Sequence, residues 1–356
     1  MPLADPNEEA IPAHHRAGIP TARTLDHYAF TVSDLPRAVG FFTAVLGGEL
    51  CYQEGPVQDP TGDWMTRKLG VHPRARAQVA LVRLRDFANI ELFGYTAPDQ
   101  VTTAPEPTAP GGAYLALQVQ ELAAATRRLA QVPGIHVVRS APTGADGPSA
   151  WCRADWGMWL LLREAGPTPR TDRRFRPPAP PTGWTGLPGL HGVEHFGRTV
   201  GDLDAAVAFF VDVLGAELLS ALTEPCPEPW TPAAAVRRRA ALRVGPTANV
   251  ELYSPAPHAV GGPPRNSDVG GHHLAFYVDD VDAAAAWLRQ APGVEVMGDP
   301  ETIADGPIAG DRWVYFRTPI GIQMEIVRMP DGELPYESLT SARRATPGPY
   351  RWTDRP

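Results

Sequence analysis

Two periods of apolar residues alternate along this chain, and the alternation recurs. After the apolar run HYAFTV from His27, Leu35, Ala38, Val39, Phe42 and Leu46 follow at helical spacing. Asp34 stands at the N-cap position. Pro36 falls in the first turn, where its missing N–H does no harm, and Gly47 stops the helix. The runs AQVALVRL and ANIELFGY then alternate as strands do. Asp202, Leu203, Ala206, Val207, Phe210, Leu214 and Gly215 repeat the helix pattern. His27–Leu50 and His195–Leu218 are identical at 14 of 24 positions without a gap, so the chain is a tandem duplication. Further strand-and-helix starts lie at Ala113 (AYLALQVQELAAATRRLA) and His272 (HHLAFYVDDVDAAAAWLR). The unit is strand, helix and about three strands. It occurs four times, which predicts an α+β protein of four βαβββ modules.

The pattern divides the chain into an N-terminal arm (1–22), a first domain of modules one and two (23–166), a linker (167–189), a second domain of modules three and four (190–330) and a polar tail (331–356). The linker is rich in Pro and Arg and has no periodicity. The chain's 356 residues, 43% of them hydrophobic, suffice for two domains with real cores. A net charge of -8 argues against a nucleic-acid partner. No apolar run reaches the ~18 residues of a membrane span, and the acidic, Pro-rich start lacks the apolar stretch of a secretory signal. Cys51, Cys152 and Cys226 are odd in number and far apart, which suggests reduced thiols and a cytoplasmic location. Lys68 is the only lysine, which reads as compositional bias.

The motifs LDHYAFTVSDL, GVEHFGRTVGDL, GGHHLAFYVDDVDAA and RWVYFRTPIGIQMEIV resemble those of the vicinal oxygen chelate superfamily, which includes glyoxalase I, epimerases, extradiol dioxygenases and bleomycin-resistance proteins. The resemblance covers roughly residues 23–330 and implies two glyoxalase-like domains with cupped, mixed β-sheets. It also implies metal ligands on the first and last strands of each module. Module one offers His27 and Glu91, module three His195 and Glu251, and module four His273 and Glu325. Module two departs, with Tyr114 and Leu161 at the two places, so one complete site per chain is expected. Pairing within a domain makes it His195, Glu251, His273 and Glu325. Pairing across domains makes it His27, Glu91, His273 and Glu325. Modules one and four keep segments resembling the pocket of a single-domain bacterial branch (GDWMTRKLGVHPRA, GPIAGDRWVYF), which favours cross-pairing.

Two imidazoles with carboxylates bind one divalent ion (Fe, Zn, Ni, Co or Mn) and leave positions open for a substrate with adjacent oxygens. The resemblance therefore implies an enzyme acting on a small molecule by metal-assisted proton transfer, of glyoxalase, epimerase or lyase type, and working as a monomer or homodimer. Glu91 and Glu325 are its expected catalytic carboxylates. Tyr315, ten residues before Glu325, is a further catalytic candidate because extradiol dioxygenases place a tyrosine there. An Fe(II) dioxygenase is the first alternative, for which His258 is a further candidate, and a non-catalytic drug- or metabolite-binding protein is the second. Trp64, Arg67, His72 and Trp313 are candidate pocket walls. Strand alternation turns His272 away from the site. His14 and His15 are expected in a solvated arm, and Arg237–Arg239 on a solvated strand edge.

Overall fold

Each module builds as its periodicity predicts. In the computed structural model, which describes residues 18–139, 147–166, 174–226, 230–231, 235–256, 262–349 and 351–352, module one comprises β1 (Ala22–Thr31), α1 (Leu35–Gly40), β2 (Glu49–Gln58), α2 (Trp64–Leu69), β3 (Arg76–Leu84) and β4 (Ala88–Thr96). Module two comprises β5 (Ala113–Val119), α3 (Leu122–Leu129), β6 (Ile135–Arg139), β7 (Ser149–Ala154) and β8 (Trp159–Glu164). Module three comprises β9 (Leu190–Thr199), α4 (Leu203–Ala208), β10 (Glu217–Pro225), β11 (Val236–Val244) and β12 (Ala248–Ala256). Module four comprises β13 (His272–Val278), α5 (Val281–Leu288), β14 (Glu295–Val296), β15 (Glu301–Thr302), β16 (Arg312–Arg317) and β17 (Gln323–Arg328). His14, His15 and His258 lie outside the described residues.

Asp34, Asp202 and Asp280 cap α1, α4 and α5 by accepting from the backbone N–H three residues on. The α1 and α4 helices then widen into π turns over Phe41–Val45 and Phe209–Val213, where the sequence predicts unbroken α-helix. The wider turn lets both phenylalanines of each adjacent pair reach the core.

The two sheets do not follow the sequence halves 23–166 and 190–330. One runs β14-β16-β17-β13-β1-β4-β3-β2, with β15 beside β16, and so joins module one to module four. The other runs β10-β11-β12-β9-β5-β8-β7-β6 and joins module three to module two. The halves are thus exchanged, and one continuous apolar core, with Phe30 and Phe196 in contact at 6.0 Å, ties both sheets together. All three cysteines are buried and unpaired with one another.

Register places the first-strand histidines. Antiparallel pairing of β1 with β13 sets His27 opposite Ala275 and His273 opposite Ala29. The parallel neighbours set Glu91 beside Ala29 and Glu325 beside Ala275. In the other sheet the same register sets His195 opposite Ala116, Tyr114 opposite Gly197, Glu251 beside Gly197 and Leu161 beside Ala116.

The linker and the tail are themselves a repeated element. Arg173-Arg174-Phe175-Arg176-Pro177 parallels Arg343-Arg344-Ala345-Thr346-Pro347. Asn249 holds Phe175 through hydrogen bonds in both directions, at 2.8 and 3.0 Å. Asn89 holds Ala345 in the same way, at 3.0 and 2.7 Å. Further along, Trp184 packs on Gly47, and Trp352 donates from its indole to the Gly215 carbonyl at 3.2 Å. Each strap therefore crosses from one copy to the other. The reading of 167–189 as a linker carries no hint of this, because extended Pro-rich chain has no periodic signal.

Candidate metal centre

His27, Glu91, His273 and Glu325 converge. Each offers one donor atom, all within 4.8 Å of one another, and all four residues are buried. Among the described residues no other group of three or more His, Cys, Asp or Glu side chains does this. His27 Nε2 lies 3.2 Å from Glu91 Oε2, 3.3 Å from Glu325 Oε2 and 3.3 Å from His273 Nε2. His273 Nε2 lies 3.4 Å from Glu325 Oε2. The small residues Ala29 and Ala275 leave room between the histidines.

The outer nitrogens are held as well. Asp26 Oδ2 lies 2.9 Å from His27 Nδ1, and the other Asp26 oxygen accepts from the Arg344 guanidinium. The Asn266 amide lies 3.5 Å from His273 Nδ1. Burial opposes ionisation of Asp26, but Arg344 and His27 outweigh it and hold the carboxyl below its usual range. Burial likewise opposes charge on His27, yet Glu91, Asp26 and Glu325 push its pKa well above that of free imidazole. Burial also works against charge on Glu325, and the two histidines hold its pKa below the usual carboxylate range. A buried imidazole held charged between two carboxylates marks a place that favours positive charge. The donor set fits a divalent first-row ion: two imidazole nitrogens and two carboxylate oxygens.

The equivalent place in the other sheet is closed. Glu251 accepts from Arg174 at 2.9 Å, from Arg239 at 3.0 Å and from the Tyr253 hydroxyl at 2.5 Å. His195 Nε2 sits 3.3 Å from Glu251 and 3.2 Å from the Tyr114 hydroxyl. Leu161 packs with Trp151 and Trp159 where module four has Glu325. Guanidinium groups supply the positive charge there. The arginine run 237–239, expected on a solvated edge, instead turns Arg239 inward and lays Arg237 over the Tyr253 ring, because Glu224 and Glu251 draw them in. Only Arg238 is exposed, paired with Asp204.

A cavity of about 710 Å³ opens onto the four converging residues. Trp64 and Trp313 meet edge to face in its wall, and Tyr95 and Tyr315 line it. The Tyr315 hydroxyl lies 3.2 Å from His273 Nε2; burial, with Glu325 and Glu91 beside it, pushes its pKa well up and keeps the phenol neutral. Arg67 and His72 do not line the cavity. Arg67 points to solvent and pairs with Asp63 one turn back, while His72 Nδ1 accepts from the Arg74 backbone N–H. His272 faces away and meets Arg198. Sequence reasoning misses Asp26, Arg344 and the acidic wall. Burial, with Glu91 and Asp305 nearby, pushes the Glu54 pKa up to about 7. Burial and Glu325 raise Asp311 well above the usual range. Asp26 had a visible signal, since an acid precedes the histidine in both copies (Asp26-His27, Glu194-His195).

The α2 helix of module one is fastened over this cavity to β15 of module four. Glu301 accepts from the Trp64 indole at 2.9 Å and pairs with Lys68 at 2.7 Å.

Profiles of the Glyoxalase/Bleomycin resistance protein/Dioxygenase superfamily match residues 24–159 and 194–316. A 2-epi-5-epi-valiolone epimerase of Actinomyces sp is 51% identical over 176 residues, 48% of this chain and 95% of that protein. Protein YaeR of Escherichia coli (strain K12) is 31% identical over 138 residues, 39% of this chain and 96% of that protein. Among solved structures, glyoxalase I from Zea mays aligns with a TM-score of 0.52 at 16% identity, over 86% of this chain and 92% of that one. A putative dioxygenase from Bacillus subtilis aligns with a TM-score of 0.51 at 15% identity, over 88% and 87%. At these identities the two structures speak for the fold alone.

Proposed function

Because the chain belongs to the Glyoxalase/Bleomycin resistance protein/Dioxygenase superfamily, we propose that it is a metal-dependent epimerase acting on a small polyhydroxy ketone. The observation that carries this reading is the convergence of His27, Glu91, His273 and Glu325 at the floor of one cavity. The likeness to the Actinomyces epimerase supports the reaction class. A divalent ion held by these four residues would supply Lewis-acid stabilisation for charge that develops on two adjacent substrate oxygens.

The chain's own groups do the rest. Epimerisation next to a carbonyl takes a proton from carbon on one face and returns one on the other. Glu91 and Glu325 come from different modules and both reach the site, each within 3.3 Å of His27 Nε2, so one can remove the proton and the other deliver it. Tyr315 remains a neutral donor beside His273 and can hydrogen-bond a substrate oxygen. Trp64 and Trp313 give the cavity an apolar wall against which a substrate can pack. Glu54 and Asp311, both shifted toward the neutral acid, offer hydroxyl partners across the cavity.

The test is isotope exchange. Protein loaded with one metal should put deuterium from D2O onto the carbon next to the carbonyl of 2-epi-5-epi-valiolone, read by proton NMR. No exchange with any of the five candidate metals would overturn the proposal. Tyr315, ten residues before Glu325, favours a second reading as an Fe(II) dioxygenase. Oxygen uptake by the iron-loaded protein with a catechol separates the two.

A further inference from the structure

We infer that Arg344, on the C-terminal strap, is a positioning residue for the metal centre: acting through Asp26, it fixes the His27 ring and sets how tightly the centre holds its ion. The inference rests on the metal reading above and adds a segment that lies beyond both matched domains. The geometry is continuous. Asn89 donates to the Asp26 carbonyl at 2.9 Å and to the Ala345 carbonyl at 3.0 Å, so one side chain ties the strap to the strand that carries His27. Tyr336 packs on Tyr52 at 5.3 Å, and its hydroxyl accepts from the Arg344 backbone N–H at 3.1 Å. Arg344 is thereby delivered, 5% exposed, to an Asp26 that is 4% exposed.

A carboxylate buried this deeply persists only if it is paired and hydrogen-bonded. Asp26 has both kinds of partner. One oxygen meets the guanidinium, and the other accepts from His27 Nδ1–H at 2.9 Å. That bond keeps the Nδ1 proton in place and aims Nε2 at the space beside Glu91 and Glu325, where it can exchange its own proton for an ion. Without Arg344 the Asp26 charge would keep only the histidine as a partner, and the ring would lose its fixed acceptor.

The other strap shows the same arginine put to a different use. Arg174 comes within 3.6 Å of Glu194, the counterpart of Asp26, but reaches on to Glu251 at 2.9 Å. There the guanidinium itself takes the cation's place. In module one's sheet Arg344 stops one shell out at Asp26, and the space between the ligands is left clear. The two copies therefore separate a strap arginine that supports a centre from one that fills it.

The experiment measures Mn2+ dissociation constants by chelator competition on the full-length protein, together with the visible spectrum of the Co2+-loaded form. Arg344→Ala should weaken Mn2+ binding by about 10–100-fold, the usual cost of losing an outer partner of a ligating histidine, and should change the Co2+ bands. Arg343→Ala should leave both unchanged, since among the described residues Arg343 bonds the strap's own Glu337, Thr340 and Ala342 and no others. Arg344→Lys, which keeps the charge, should recover part of the loss. If Arg344→Ala does not fold, Asp26→Asn tests the same link and should show the same weakening. Where both fold, the double variant should bind no more weakly than either single one. Parent-like affinity in Arg344→Ala, or an equal loss in Arg343→Ala, would overturn this inference and leave the metal reading standing. A parent protein that binds no Mn2+ would overturn both.

Discussion

Gly197 faces Tyr114 across β9 and β5, and a Cβ at Gly197 would lie 1.9 Å from the Tyr114 ring. The matching pair in the other sheet is Ala29 and His273, where the smaller imidazole leaves room for a methyl. Tyrosine at one position thus requires glycine at the other. Gly197→Ala should destabilise the protein by about 1–3 kcal/mol through overpacking while leaving one equivalent of metal bound. Chemical denaturation and metal analysis of the same sample check both halves. Unchanged stability would show that the ring can step aside.

Glu54 gives a pH dependence. Its pKa of about 7 in the folded protein exceeds the ordinary 4.5, because the group is largely buried and faces Glu91 and Asp305. A raised acid contributes stability that is intact below about pH 4.5 and is lost as pH climbs through 7. Glu54→Gln should therefore change little at pH 4.5 and stabilise the metal-free protein by about 1–2 kcal/mol at pH 8, a figure discounted for partial solvent access. Urea titrations at the two pH values read the difference. An equal effect at both would place Glu54 in water.

The modules are legible because duplication displays them twice and because α1, α4 and α5 each open on an aspartate cap. The four converging positions are legible in the motifs, since a histidine on a first strand and a glutamate on a last strand keep their register in modules one, three and four. The pairing of module one with module four is legible less in any one residue than in which pocket segments survive. The straps were not legible, because their hold lies in asparagine side chains gripping irregular backbone, and such contacts leave no period in the sequence. The arginine run misled for a related reason. Charge reads as solvent exposure unless the buried acids that attract it, here Glu224 and Glu251, are already known to lie across the strand. Arg67 misled in the opposite way: it belongs to a pocket helix, but its neighbour Lys68 is the cation that turns inward.

Lys68 supplies a chemical probe of that helix. It is the chain's only lysine, is 6% exposed and is paired with Glu301 from module four. An amine-acylating reagent should modify it at least tenfold more slowly than the same lysine in unfolded protein. Glu301→Ala, which frees the Trp64 indole and leaves the Lys68 ammonium with only its bond to the Asp299 carbonyl at 2.5 Å, should remove part of that protection and raise the substrate KM more than it lowers kcat. Peptide mass spectrometry follows the lysine directly. A Glu301→Ala protein with Lys68 fully protected would show that Glu301 does not hold the helix, and that packing and the Asp299 carbonyl do.

A single centre shared between modules one and four is the central proposal. Metal content of His27→Ala and His195→Ala, purified and loaded side by side, tests it most directly. The parent should hold one equivalent of divalent metal per chain, His195→Ala should hold one, and His27→Ala should hold none, with all three proteins folded by circular dichroism. Full metal in His27→Ala with none in His195→Ala would contradict the account.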